Sequence, residues 1–178
     1  MKKLIFLVLG LTFSFFCHGQ NTVSFSDAAK VDLPNGRQKI QREDAVAFAG
    51  KRFNNEPLIM RSIGKRNKLD SIYLINNVLV TLNAQNKSSE KGHLAQLKMG
   101  LDEMSRRDPS HSSKLETINN NDVLIEDYIV GGVGNYRFYL FNASYTRSLT
   151  GILEFDKNDK AEATAILNHI LQSVSLKE

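Results

Sequence analysis

The stretch 123–174, reading VLIEDYIVGGVGNYRFYLFNASYTRSLTGILEFDKNDKAEATAILNHILQSV, constrains the fold of this chain more than any other. Val123 to Val130 is rich in Val, Ile, Leu and Tyr, which suit a pleated, half-buried surface. Gly131, Gly132 and Gly134, with Asn135, supply the backbone freedom of a hairpin loop. Tyr136 to Tyr145 is apolar on both sides of its alternation. Tyr136, Phe138 and Leu140 take one side, and Tyr139, Phe141, Ala143 and Tyr145 the other. That pattern predicts a central strand covered above and below. Leu149, Gly151, Leu153 and Phe155 mark one face of a third strand.

A helix closes the unit. Asp159 is placed as its N-cap, with Glu162 completing a capping box three residues on. Ala163, Ile166, Leu167, Ile170, Leu171 and Val174 then recur at helical spacing, and the stripe predicts a helix lying on the sheet.

The start of the chain reads differently. Lys2 and Lys3 precede an apolar run from Leu4 to Phe16, then Cys17-His18-Gly19. A basic start, a short apolar run and a small residue before the cut make a secretory signal peptide. Residues 1–19 are therefore expected to be removed, between Gly19 and Gln20. The run is shorter than the roughly 20 residues a membrane span needs. Lipidation at Cys17 is the alternative, although Ser14 and Phe16 are poor flanks for it. Residues 20–178 are expected to form one domain, extracytoplasmic in either case. Loss of Lys2 and Lys3 lowers the formal charge from +4 to +2, a slight excess. Cys17 is the only cysteine, so the mature chain has no disulfide and no cysteine metal ligand.

Between the two ends, Val23 and Phe25 begin a weak alternation, and Pro34-Asn35-Gly36 is a turn. Gln41 to Phe53 is predicted helical through Ala45, Val46, Phe48, Ala49 and Phe53. Leu58 to Ile63 is predicted as a short strand running into a basic loop, Arg61 to Arg66. Ile72–Ile75 and Val78–Leu82 flank Asn76-Asn77, a pair that tolerates left-handed geometry and is read as a hairpin turn, with a polar interruption of one long strand as the alternative. His93 to Arg106 is a second amphipathic helix through Leu94, Leu97, Leu101 and Met104. Leu115 and Ile118 suggest a strand before a turn at Asn119–Asn121. Strands joined by hairpins and followed by helices make an α+β fold. The expected architecture is an antiparallel or mixed sheet between helices, a three-layer α/β/α sandwich.

This element order resembles the Mog1/PsbP-like fold group, which includes small exported bacterial members. Val31-Asp32-Leu33-Pro34-Asn35-Gly36, the helix at 93–106, the aromatic hairpin, Gly151-Ile152-Leu153-Glu154-Phe155 and the closing helix carry the likeness. The resemblance implies a non-enzymatic role as an adaptor or accessory subunit. It transfers no site residues.

Motifs for chemistry are scarce. Gly131-Gly132-Val133-Gly134 leads into a strand, whereas a phosphate cradle leads into a helix. Counting from Asp156, the sixth and twelfth positions of a calcium loop fall on Ala161 and Leu167, not Gly and Glu. His93, His111 and His169 lack metal-binding spacing, and no serine sits in a G-x-S-x-G turn. Arg61, Lys65, Arg66, Lys68, Arg106 and Arg107 are read as solvated, with no nucleic-acid partner implied. No catalytic residue, cofactor or metal is assigned.

The aromatic strand is the best surface for a partner. Tyrosine joins an apolar ring to a polar tip, so Arg137, Tyr139 and Tyr145 are the candidate contacts for a protein or envelope component. Two rivals stay open. One is a small-molecule or lipid carrier with a pocket between sheet and helix. The other is a hydrolase whose site gathers His93 or His111 with a carboxylate and a hydroxyl.

Overall fold

The hairpin of the C-terminal unit turns on two residues. In this computed structural model, which describes residues 21–25, 27–66, 70–86 and 88–177, Gly131 and Gly132 have φ of +55° and +84°. Left-handed geometry at both central residues matches the twist of the flanking strands. Gly134 and Asn135, expected in the loop, lie instead in the second strand. The leader expected over residues 1–19, with Cys17, falls outside the described residues.

Seven strands form one antiparallel sheet. They are β3 (Arg37–Ile40), β4 (Ser71–Ile75), β5 (Val78–Gln85), β6 (Ser112–Ile118), β7 (Asn121–Val130), β8 (Val133–Phe141) and β9 (Ser148–Asp156), in the order β3-β4-β5-β9-β8-β7-β6. The Asn76-Asn77 turn joins β4 to β5 with Asn76 at φ +51°. A second, three-stranded sheet pairs β1 (Thr22–Phe25) and β10 (Ser175–Leu176) with β2 (Ala29–Asp32).

Alternation sorts the large sheet into two unlike faces. Val80, Leu82, Val123, Ile125, Phe138 and Leu153 point to the first face. The predicted stripe of α4 (Lys160–Ser173) lies on them, with Ala163, Ile166, Leu167, Ile170 and Leu171 buried. Val31 and Leu33 of the small sheet region complete that core.

The other face carries two separate covers. Helices α1 (Arg42–Arg52) and α2 (Pro57–Gly64) bring Ala45, Ala49, Ile59 and Ile63 onto Ile72, Leu79 and Val133. Helix α3 (His93–Arg107) brings Leu94, Leu97 and Leu101 onto Leu124 and Phe141. The chain is thus an α+β, three-layer sandwich.

Two local readings change. Leu58–Ile63 is the body of a helix, not a strand. Pro57 stands at its first position, where a missing N–H costs nothing, the Glu56 side chain accepts from the Leu58 N–H, and Ile59 and Ile63 share a face four residues apart. Asp159 precedes α4 but makes no capping hydrogen bond. Its carboxylate accepts from Arg52 Nη2 at 2.6 Å, and Asp156 caps a preceding 3-10 turn through the Asn158 N–H.

Candidate functional site

Between the α1–α2 cover and α3, the sheet presents a polar strip. Strand register builds it: Thr81 lies opposite Ile152, Ile152 opposite Arg137, and Arg137 opposite Glu126. A second row runs Leu79, Glu154, Asn135, Tyr128. Residues of like parity share a face, so this strip is the reverse side of the strands whose other face is the apolar core.

The strip contains a buried ion pair. Arg66, just past the end of α2, donates through Nη2 to Glu154 Oε2, with the two side chains only 4% and 1% exposed. Among the described residues, Arg66 Nε and Nη1 and Glu154 Oε1 have no hydrogen-bond partner. Burial in a poorly polarisable interior pushes the Glu154 carboxyl above its ordinary range, against the pull of the Arg66 guanidinium. The expected solvated loop therefore includes a residue that is withdrawn from water. Arg61 and Lys65 remain exposed.

A second polar group sits toward α3. Glu126, itself buried, lies 3.6 Å from His111 Nε2 and 3.9 Å from Arg137 Nη1. The Arg137 guanidinium carbon stands 5.6 Å from the centre of the Tyr128 ring, within cation–π range. Burial pushes the phenols of Tyr128 and Tyr139 up.

The histidine–carboxylate–hydroxyl gathering that a hydrolase would require does occur: His111 Nδ1 is 3.0 Å from Ser105 Oγ. The Ser105 hydroxyl, however, donates to the Leu101 carbonyl at 2.9 Å, one helical turn back. His111 is 7% exposed, and with Ser105 and Glu126 it forms a largely buried polar network between α3 and β7. His93 instead lines a hollow of about 260 Å³ with Tyr139, Ser148 and Thr150, and His169 is exposed on α4. Among the described residues, no group of three or more His, Cys, Asp or Glu side chains could hold a metal ion. Nor is any described helix long and apolar enough to cross a membrane.

The three candidate partner contacts separate. Arg137 and Tyr139 are half-buried neighbours in the strip. Tyr145 is 4% exposed, stacked on Phe141 at 5.2 Å, and donates its hydroxyl to Asp122 Oδ2 at 2.6 Å. It is a core residue under α3. Sequence reasoning misses Glu154, Glu126 and Thr81, and it places Arg66 in water. A charged Glu154 between Leu153 and Phe155, in a strand apolar on its other parity, is the one signal that could have found the strip.

No protein-family profile matches the chain, and no curated protein matches it by sequence. Solved structures do match. The solution structure of cyanobacterial PsbP (CyanoP) from Synechocystis sp. PCC 6803 aligns with a TM-score of 0.51 and 9% identity, over 86% of this chain and 89% of that one. A crystal structure from Bacteroides thetaiotaomicron VPI-5482 aligns with a TM-score of 0.48 and 8% identity, over 89% of this chain. This chain spans about half (49%) of that protein's length. The fold is PsbP/Mog1-like, and likeness at this identity speaks to fold alone.

Proposed function

We propose that this protein is a non-enzymatic, extracytoplasmic accessory protein that binds a protein or envelope component through its half-covered sheet face. The observation that carries the reading is the Arg137–Tyr128–Tyr139 group. An arginine side chain 36% exposed lies against two half-buried tyrosines on the sheet face between α3 and the α1–α2 pair. Tyrosine and arginine are the residues enriched at interface cores and hot spots. The rigid sheet beneath them limits the ordering cost of binding. The extracytoplasmic setting rests on the basic-apolar leader of the sequence.

The test is capture from the native envelope fraction. Tyr139→Ala and Arg137→Ala should each lose the captured partner while keeping the wild-type melting temperature within a few degrees. Normal capture with lost thermal stability would assign Tyr139 to the core and remove it from the interface. Intact-mass measurement of the secreted chain should begin at Gln20; a diacylated Cys17 would replace secretion with anchoring.

A carrier role is the second reading. It is favoured by a hollow of about 260 Å³ between the β6–β7 edge and α4, where Ile125, Tyr136 and Leu167 meet Asp127 and Thr164. Its mixed lining suits an amphipathic small molecule rather than a lipid chain.

A further inference from the structure

The large sheet has two outer strands, and their edges differ. An unpaired strand invites another chain, and natural edges are blunted by shortness and by charge. β3 fits that description, with four residues of which Arg37 and Lys39 are both cationic. β6 does not. It runs seven residues, Ser112–Ile118, in unbroken register with β7, without proline or bulge. Among the described residues, no strand pairs with its outer side. Leu115 at its centre is 41% exposed.

The turn after β6 fixes which backbone groups face outward. Asn119 and Asn120 have φ of +50° and +63° between the paired Ile118 and Asn121. A two-residue turn of this kind closes on a hydrogen-bonded pair. Ile118, Glu116, Lys114 and Ser112 therefore bond to β7, whereas Thr117, Leu115 and Ser113 turn their N–H and C=O groups outward. An antiparallel copy of β6 must match these outward residues with one another. Centred on Leu115, all seven residues pair, and each Lys114 stands opposite Glu116 of the other copy. Those are the positions without mutual hydrogen bonds, where side chains approach most closely. Centred on Lys114 or on Glu116, like charges stand directly opposite, which is destabilising. Lys114 and Glu116 already pair within the chain at 3.1 Å, so the Leu115-centred register closes a ring of four alternating charges.

Helix α3 adds an apolar flank. Ser105 meets His111 and Asp102 meets Ser113, so α3 and β6 run in opposite directions. Leu115 shares a side of the strand with Ser113 and continues that line toward Met99. Met99 lies one turn before Asp102 on the same flank and is 74% exposed. A two-fold axis between the paired Leu115 residues is perpendicular to the sheet and keeps both α3 helices on one side. We infer that β6 pairs with β6 of a second copy of this chain, antiparallel about Leu115, giving a two-fold dimer with one continuous sheet. The interface is two strands away from β8 and is independent of the docking face at Arg137 and Tyr139. Either can fail without the other.

The experiment is sedimentation velocity of the exported chain over a range of concentrations. Wild type should show a monomer–dimer equilibrium, with dimer dominant at roughly 100 µM, as a small interface allows. Glu116→Lys and Lys114→Glu change side chains that are 36% and 60% exposed. Each should keep the wild-type melting temperature and weaken dimerisation roughly tenfold or more. An equimolar mixture of the two variants should dimerise again, because both lysines of one copy then face both glutamates of the other. Single variants that dimerise like wild type would overturn the proposal, and so would a mixture that stays monomeric. A wild-type monomer at every concentration would overturn it as well. In that monomer, slow exchange of the Leu115 amide would assign the edge to residues before Asn21, and fast exchange would leave it for a strand of another protein.

Discussion

Arg66 and Glu154 lie 88 positions apart in the chain and form a charge pair inside the protein, one following α2 and the other in mid-β9. Each is costly to bury alone. Arg66→Met leaves the carboxylate without a partner and should destabilise the fold by about 3–5 kcal/mol. The double variant Arg66→Met/Glu154→Leu should recover most of that loss in urea denaturation, because the pair's mutual attraction largely repays its desolvation. A double variant as unstable as the single would show that the pair contributes more than it costs.

The same carboxyl gives a pH dependence. Its value is raised above 4.5 in the folded state by burial. The folded chain therefore keeps this proton to higher pH than the unfolded chain. Its contribution to stability is full below about 4.5 and is lost as pH rises through the folded value. Glu154→Gln should flatten this fall, which unfolding free energies measured from pH 4 upward would register.

Tyr145 should behave as a core phenol. Burial, with the Asp122 carboxylate beside it, pushes its hydroxyl up to about 12. Ultraviolet titration should show Tyr145 ionising near there, and Tyr145→Phe should remove one phenol's worth of amplitude from the high-pH part of the curve, where the raised phenols of Tyr73, Tyr128 and Tyr139 remain. Stability tied to this group should fall as pH rises from about 10 toward 12. Loss of the hydrogen bond to Asp122 should cost about 1–2 kcal/mol at neutral pH, since Asp122 keeps Thr117 as a donor.

Gly151 and Phe138 face each other across β9 and β8. A Cβ at Gly151 would overlap the Phe138 ring and stand 2.9 Å from Leu82 Cδ2. Gly151→Ala should therefore cost about 1–3 kcal/mol by overpacking. Adding Phe138→Leu should recover part of it. Gly134 opposite Phe155 repeats the arrangement.

Asp159→Asn tests the displaced cap. The carboxylate pairs with an arginine whose side chain is 36% exposed, so the loss should stay below about 1 kcal/mol and shrink with added salt. A salt-independent loss nearer 2 kcal/mol would restore a true helix-capping role.

Local pattern makes much of this fold legible. The stripe of α4 needs only its own spacing, and the Asn76-Asn77 and Gly131-Gly132 turns need only backbone tolerance. The Leu58–Ile63 segment misleads because six apolar-rich residues suit either a strand or a buried helical turn. Only Pro57 and the Ile59–Ile63 spacing separate the two. For Arg137 and Tyr139, placement beside one another in the strip follows from strand parity. Tyr145, two residues beyond Ala143 and of like parity, joins them only if the strand continues. The chain instead turns at Asn142–Arg147, where Tyr145 takes a φ of +56° and folds under α3.

The amino-acid order by itself determined the elements whose cause is short-ranged: apolar periodicity, asparagine and glycine turns, and the burial of one parity of each central strand. Tertiary structure alone decided what becomes of the other parity. Two helical covers that leave a gap set which of its polar residues stay wet, and Arg66 arrives at Glu154 from a distant part of the chain. Burial and charge pairing depend on neighbours in space, and for that strip nearly all the neighbours are remote in sequence.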